Sequence, residues 1–308
     1  MKNIYKIVSK NCAVSCLIFL VLLFLVTSCK KAENTEKVYK IGYMICNNTQ
    51  ETNERFLPVT NYLSEKTGYK FEMIAVNTQD FAQDYGKKKF DFIHANSYLF
   101  TLVRNTLGAK YLCTETRGAY GAHTKGVLFA LKKSGITKVS DIKGKKALFG
   151  PVFAPFAFIS QYNILVKSGI DPEKDITYAI PWGSFKHEKV VYGVLYNDYD
   201  VGGVASLDLE EMTMTGKLDM DSINIIAEGP LLPYCTFGYS PDVPPEVVKS
   251  VLNALLTLSQ KDTATVGIER LAVLNRAFVD GYEVIDESEY DIFDSYAKTA
   301  KLPPYEDF

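Results

Sequence analysis

VYKIGYMICNNTQETNERFLPVTNYLSEKTGYKFEMIAV, residues 38–76, reads as a strand, a helix and a second strand in immediate succession. Residues 38–46 form an apolar run of strand length, ended by the turn-forming pair Asn47-Asn48. From 53 to 66 the apolar residues recur at helical spacing, with Phe56, Val59, Tyr62 and Leu63 on one stripe. Gly68 then stops the helix, because glycine enters the left-handed conformation without a Cβ clash. Residues 71–76 are extended again. Strand, crossover helix and strand is the unit from which parallel sheets are built, so this stretch places the chain in the α/β class.

The alternation continues outward. Helices are predicted over 78–88 and 97–107, and strands over 91–95 and 109–115. A second series begins near Lys125, with strands at 126–132, 146–149, 177–180, 201–205 and 223–227 and helices at 155–168 and 186–197. The chain then returns through an extended 234–239 to helices at 245–260 and 286–300. The pattern predicts mainly parallel sheets in two interleaved lobes, 38–120 with 235–308 and 121–234, joined by crossovers near 117–126 and 229–238. Ligands of such sheets lie beyond the carboxyl ends of the strands, here in the gap between the lobes. Periodicity alone fits a single doubly wound enzyme domain equally well.

Residues 1–28 read as an export signal: Lys2, Lys6 and Lys10 precede an apolar run from Ala13 to Val26 that is too short to span a membrane comfortably. Val26-Thr27-Ser28-Cys29 resembles a bacterial lipobox, which implies cleavage before Cys29, lipidation of its thiol and a polar tether over 29–37. The chain is then extracytoplasmic and held to a bacterial membrane. Loss of those three lysines, with no acid in the same segment, takes the net charge from −2 to about −5. That balance disfavours a nucleic-acid partner, which needs a basic face. Cys46, Cys113 and Cys235 remain, widely spaced and without metal-binding or redox spacing; one disulfide plus a thiol, or three thiols, both fit.

Six further segments, in order, carry a family likeness. Arg55-Phe56-Leu57-Pro58-Val59 with Tyr62-Leu63 and Gly68, Asp91-Phe92-Ile93, Ser140-Asp141-Ile142-Lys143-Gly144-Lys145, Gly183-Ser184-Phe185-Lys186-His187, Asp200-Val201-Gly202-Gly203-Val204 and Asp280-Gly281-Tyr282-Glu283 resemble the phosphate/phosphite/phosphonate-type solute-binding proteins of ABC transporters. The resemblance spans the exported chain and implies a type II periplasmic-binding fold, two α/β lobes joined by a two-strand hinge. It also implies a monomer that captures a small ligand by cleft closure and delivers it to an ABC permease, with no catalysis, cofactor or metal. A ligand-sensing lipoprotein partnering a sensor kinase is the alternative that the same fold allows.

The likeness departs from the family at the ligand loop. A hydroxyl-rich run usually follows the second-lobe strand, and here Gly150-Pro151-Val152-Phe153-Ala154-Pro155-Phe156 stands in its place. Each donor missing from a desolvated anion forfeits about 1.5–3 kcal/mol, so the ligand is either a phosphonate-like oxyanion held differently or another small metabolite. The candidate ligand residues are His187 as donor and Asp200 as its orienter or a hydroxyl acceptor. Phe153 and Ala154 stand on the altered loop, Asn96 and His94 follow the third strand, and Tyr43 and Tyr120 belong to the first lobe and the hinge. Each has a plainer reading as well: a surface histidine, a turn aspartate, core aromatics, a helix cap. The three histidines show no ligand spacing for a metal.

Overall fold

The computed structural model describes residues 37–183 and 186–306. The export segment, Cys29 and nearly all of the tether lie outside the described residues, as do Ser184 and Phe185.

From the amino end the chain forms β1 (Val38–Met44), α1 (Thr49–Thr67), β2 (Lys70–Val76), α2 (Phe81–Gly86), β3 (Phe92–Ala95), α3 (Ser97–Leu107) and β4 (Lys110–Thr116). It crosses through β5 (His123–Thr124) into β6 (Gly126–Leu131), β7 (Lys146–Phe149), α4 (Ser160–Lys167), α5 (Pro172–Asp175), β8 (Thr177–Ala179), α6 (Lys186–Leu195), β9 (Val201–Ala205), α7 (Ser206–Met214) and β10 (Ile223–Glu228). It returns through β11 (Leu232–Pro233) to β12 (Thr236–Tyr239), α8 (Pro245–Leu256), β13 (Thr263–Val266), β14 (Glu269–Ala272), α9 (Val273–Ala277), β15 (Gly281–Glu283) and α10 (Ile292–Thr299). Among the described residues no helix is long and apolar enough to cross a membrane.

Two large sheets result, ordered β15-β4-β12-β3-β1-β2 and β10-β6-β9-β7-β8, beside the two-stranded β13-β14. The crossovers pair with each other, β5 antiparallel to β11. The sheets are mixed, which corrects the expectation of mainly parallel sheets. β1 runs parallel to β2 and β3, and β7 parallel to β8 and β9. β12 lies antiparallel between β3 and β4, and β6 antiparallel between β9 and β10. The reason is the double crossover. A strand that arrives from the other lobe starts at the cleft edge, so it runs opposite to the strands that end there.

Local chemistry sets the element ends. The Asn48 side chain accepts from the Glu51 N–H at 2.8 Å and so caps α1, which therefore begins one turn earlier than the apolar stripe indicates. Gly68 closes the same helix with φ of 79°. The Asn96 carboxamide accepts from Leu99 N–H at 2.9 Å and starts α3 at the carboxyl end of β3.

One apolar cluster packs α1, α8 and α9 on the first sheet around Tyr43, Phe56, Phe92 and Phe237. A second packs α6 and α7 on the other sheet through Val190, Val191, Val194, Leu209 and Met212. The largest passes behind the gap and takes in residues of both lobes, among them Phe100, Phe149, Phe156 and Phe293. Asn163 of α4 donates to the Tyr296 carbonyl of α10 at 3.1 Å, so the carboxyl-terminal helix ties the lobes at the back.

β12 is buried on both sides, and at Gly238 a Cβ would stand 2.8 Å from the Lys110 carbonyl oxygen and 3.0 Å from the Ile93 side chain. Gly238→Ala must therefore push two strands apart. It should destabilise the chain by about 1–3 kcal/mol in denaturant unfolding.

Candidate ligand cleft

The carboxyl ends of the strands in both sheets face one cavity of about 620 Å³. The first lobe lines it with the segment after β1, the first turns of α1, the start of α3, Arg117 and Cys235. The second lobe lines it with residues 151–157, the start of α6 and one side of α7.

The loop after β7 is tightly folded. The Gly150 N–H donates to Ala157 O at 2.8 Å, and a Cβ on Gly150 would stand 2.4 Å from that of Ala157. Residues Pro155–Ile159 form a wide π-type turn before α4. Phe153 and Ala154 lie in the wall, and the Phe153 ring tilts against Tyr98 at 5.6 Å. Asn96 also lines the cavity, and its amide donates across the gap to the Phe153 carbonyl at 3.0 Å. Phe156 is 4% exposed, so it serves as wall and core at once.

His187, in the first turn of α6, stands half-buried in the wall with Nδ1 3.1 Å from Oδ2 of Asp208 on α7. The approach is that of an ion pair; Nδ1 has no partner in good hydrogen-bond geometry. Cys46, which follows β1 in the opposite lobe, lines the same cavity. Burial works against charge on His187, but the Asp208 carboxylate and the Cys46 thiol outweigh it and raise the imidazole well above its ordinary value. Burial likewise opposes ionisation of Asp208 and Cys46, yet the facing imidazole leaves both below theirs.

Three other wall cations stand beside carboxylates. Arg117 lies 2.5 Å from Glu211, Lys217 2.7 Å from Glu188, and Arg55 4.0 Å from Glu51. Burial opposes the Arg117 charge, and Tyr234, Glu211, Asp208 and Glu115 together hold it firmly on.

Other candidates fall elsewhere. Asp200 is not in the wall: its carboxylate accepts the Lys146 N–H at 2.9 Å while its own N–H donates to Lys146 O at 2.8 Å, which corrects its assignment as the His187 partner. Asp208, one turn beyond β9, takes that position. His94 is buried beneath the cavity floor in a 2.8 Å contact with Glu115, and Tyr43 stacks on Phe56 at 4.7 Å in the core. Neither is part of the wall. Tyr120 sits at the crossover with the Lys125 ammonium 5.3 Å over its ring, also outside the wall. His123 contacts Glu289 at 2.7 Å, so the three histidines do not converge. Sequence reasoning missed Cys46, Arg117, Asp208 and Glu211. The usable signal was position, since Cys46 and Asp208 each follow a strand whose carboxyl end faces the gap.

A family profile described as ABC transporter, phosphonate, periplasmic substrate-binding protein matches residues 41–290. The chain belongs to this family. PhnD1 of Prochlorococcus marinus, solved in complex with methylphosphonate, superposes with a TM-score of 0.71 at 14% identity, over 86% of this chain and 99% of that one. A binding protein component of an ABC phosphonate transporter from Pseudomonas aeruginosa gives 0.68 at 15% identity, over 86% and 87%. A Xanthomonas citri protein bound to ATP gives 0.68 at 14%, over 86% and 97%. The fold is thus that of the type II periplasmic-binding proteins. As a family member the phosphonate-type binding protein is a periplasmic, substrate-binding component of an ABC transporter and not an enzyme.

The His187–Asp208 pair has a definite pH signature. His187 is raised when folded, so its stabilisation is fully present below about pH 6.5 and is lost as pH rises through the folded value. Asp208 is depressed, so its share is present above about pH 3.9 and is lost as pH falls through its folded value. Asp208→Asn should lower the His187 titration midpoint, followed by imidazole NMR. Its stability deficit should be largest between those two edges and should shrink in alkali.

Proposed function

We propose that the mature chain starts at lipidated Cys29, hangs from a bacterial membrane by residues 29–37, and closes on a small organic solute that it passes to an ABC permease. Closure draws its energy from the ligand's stronger contacts with the closed than with the open form.

The paired wall carries the choice of ligand class. Of the five cationic side chains that line the cavity, Arg55, Arg117, His187 and Lys217 each stand within 4.0 Å of a carboxylate, and Lys186 is the fifth. An incoming oxyanion would have to displace those carboxylates, and it finds Phe153, Ala154 and Pro155 where hydroxyl donors would serve it. A solute with both polar and apolar surface suits this wall better, with the Phe153 ring as its apolar contact and Glu51, Glu54 and Asn47 near its polar end. A cavity of about 620 Å³ also has room for much more than a methylphosphonate.

A thermal-shift screen of the full chain in detergent tests the class. Amino acids, amines and aromatic solutes should include one that, at about 100 times its dissociation constant, adds about 2.7 kcal/mol, a rise of roughly 5–10 °C. Phosphate, phosphite and methylphosphonate should shift the transition far less; equal stabilisation by these oxyanions would refute the argument from the loop. The anchor is tested separately. Labelled palmitate should enter the wild-type chain in cells, and Cys29→Ser should abolish labelling and release the protein from the membrane fraction.

A further inference from the structure

The turn that follows α9 is built around a residue that neither packing nor backbone geometry favours. Phe278 stands in the left-handed conformation, with φ of 57° and ψ of 43°, and its N–H donates to Asn275 O as the helix closes. Glycine and asparagine adopt this conformation readily, whereas a bulky side chain crowds its own backbone there. The other described non-glycine residues with positive φ are Lys88, Asn197 and Lys301, none of them aromatic. Burial does not account for the phenylalanine either. Its neighbours Ala277 and Val279 are buried in the core of the first lobe, yet Phe278 is 55% exposed and lines the cavity. Strained positions persist where the surrounding structure holds them, and they cluster at binding sites.

Here the holding group comes from α1. Arg55 donates to the Ala277 carbonyl through Nη2 at 2.9 Å and Nε at 3.2 Å, which ties down the residue before the turn. The same guanidinium lies 5.6 Å from the centre of the Phe278 ring and 4.9 Å from that of Phe56. The aromatic side chain is thus fixed by a cation that the protein itself engages, and over half of its surface is left for a ligand.

We propose that Phe278 is a specificity-determining residue that stacks on a planar, unsaturated ring of the captured solute. The inference rests on the reading of the gap as the cleft for an organic solute, and it names the chemistry of that solute. Phe278 belongs to the first lobe and Phe153 to the second, and both line the one cavity. A solute that fills the cavity therefore meets an aromatic side chain from each lobe. Aromatic pairs gain from offset or edge-to-face contact, which a saturated ring of the same size cannot match. Glu51 and Glu54, on the same helix as Arg55, also line the cavity and suit an amine carried by the ring.

The test is the binding of matched probes to the full chain in detergent, by isothermal titration calorimetry. Phenethylamine and tryptamine are compared with 2-cyclohexylethylamine, and phenylalanine and tryptophan with cyclohexylalanine. At least one aromatic probe should bind about three- to tenfold more tightly than its saturated counterpart. Phe278→Tyr should keep that preference, and Phe278→Leu, which stays apolar without a planar ring, should lose it. Phe278→Gly should also lose it while its melting temperature stays level or rises, because glycine relieves the left-handed turn. A ring that served folding alone would give the reverse, a lower melting temperature and an unchanged preference. Equal affinity for aromatic and saturated probes, or a preference undiminished in Phe278→Leu, overturns the inference. So does a screen in which only solutes without an aromatic ring bind, and that result leaves the preceding reading intact. If no organic solute binds, or phosphate and methylphosphonate bind instead, the preceding reading fails and this one with it.

Discussion

The cleft depends on two aspartates that never touch it. In the first lobe Asp91 donates its N–H to the Lys40 carbonyl at 2.8 Å and accepts the Lys40 N–H on its carboxylate at 2.9 Å. In the second lobe Asp200 does the same to Lys146, at the same two distances. Each aspartate stands just before the strand that pairs with the lysine's strand, β3 beside β1 and β9 beside β7. A one-residue slip in either pair would turn every side chain to the opposite face. The clasp fixes the register at the far edge, and so fixes which residues emerge at the carboxyl ends. Cys46, Asn96 and Asp208 reach the cavity because of hydrogen bonds made at the other end of their sheets.

What emerges there is a wall of compensated charge. Ion pairs between exposed groups contribute little stability, and burial adds desolvation that only good geometry offsets. Two contacts cross the gap directly, Asn96 to the Phe153 carbonyl and Arg117 to Glu211. Each is made between the lobes themselves and needs no ligand. They lower the free energy of the closed form, so a ligand has less closing to drive and correspondingly less differential affinity to show. The bridge of α10 behind the cleft works in the same direction, because its contacts with α4 resist wide opening.

The fold was legible in the sequence because its signals are local. The stripe Phe56, Val59, Tyr62, Leu63 and the stop at Gly68 are consequences of helical geometry within one segment, and α1 carries them as read. Strand β7 and helix α3 likewise end where their turn residues stand, at Gly150-Pro151 and Gly108. The strand directions of β6 and β12 were not legible, since they follow from which lobe the chain has just left. Helix α7 was missed because it follows β9 without a loop, and the small residues Ala205 and Ser206 mask its start. The site was legible at Asn96, Phe153, Ala154 and His187 as wall positions, where a strand ends or a helix starts. Asp200 was misplaced because an aspartate before a strand looks alike whether it caps a neighbouring lysine or faces a ligand. Cys46 carries no local mark at all; only the fold brings the end of β1 and the start of α6 to one cavity.

The loop after β7 turns its polar groups toward the protein itself. A helix that starts regularly behind a hydroxyl-rich turn offers free N–H groups and hydroxyls to an anion. Here Pro155 removes one N–H outright, and the Ala154 carbonyl accepts from both Phe158 and Ile159 at 3.1 Å in the widened turn. The Gly150–Ala157 contact pins that turn against the strand, so it has little freedom to rearrange around a ligand. The Phe153 carbonyl, meanwhile, is engaged by Asn96 of the other lobe. In this chain the segment is bonded to the opposite lobe at that carbonyl, so the two walls of the cavity meet through it.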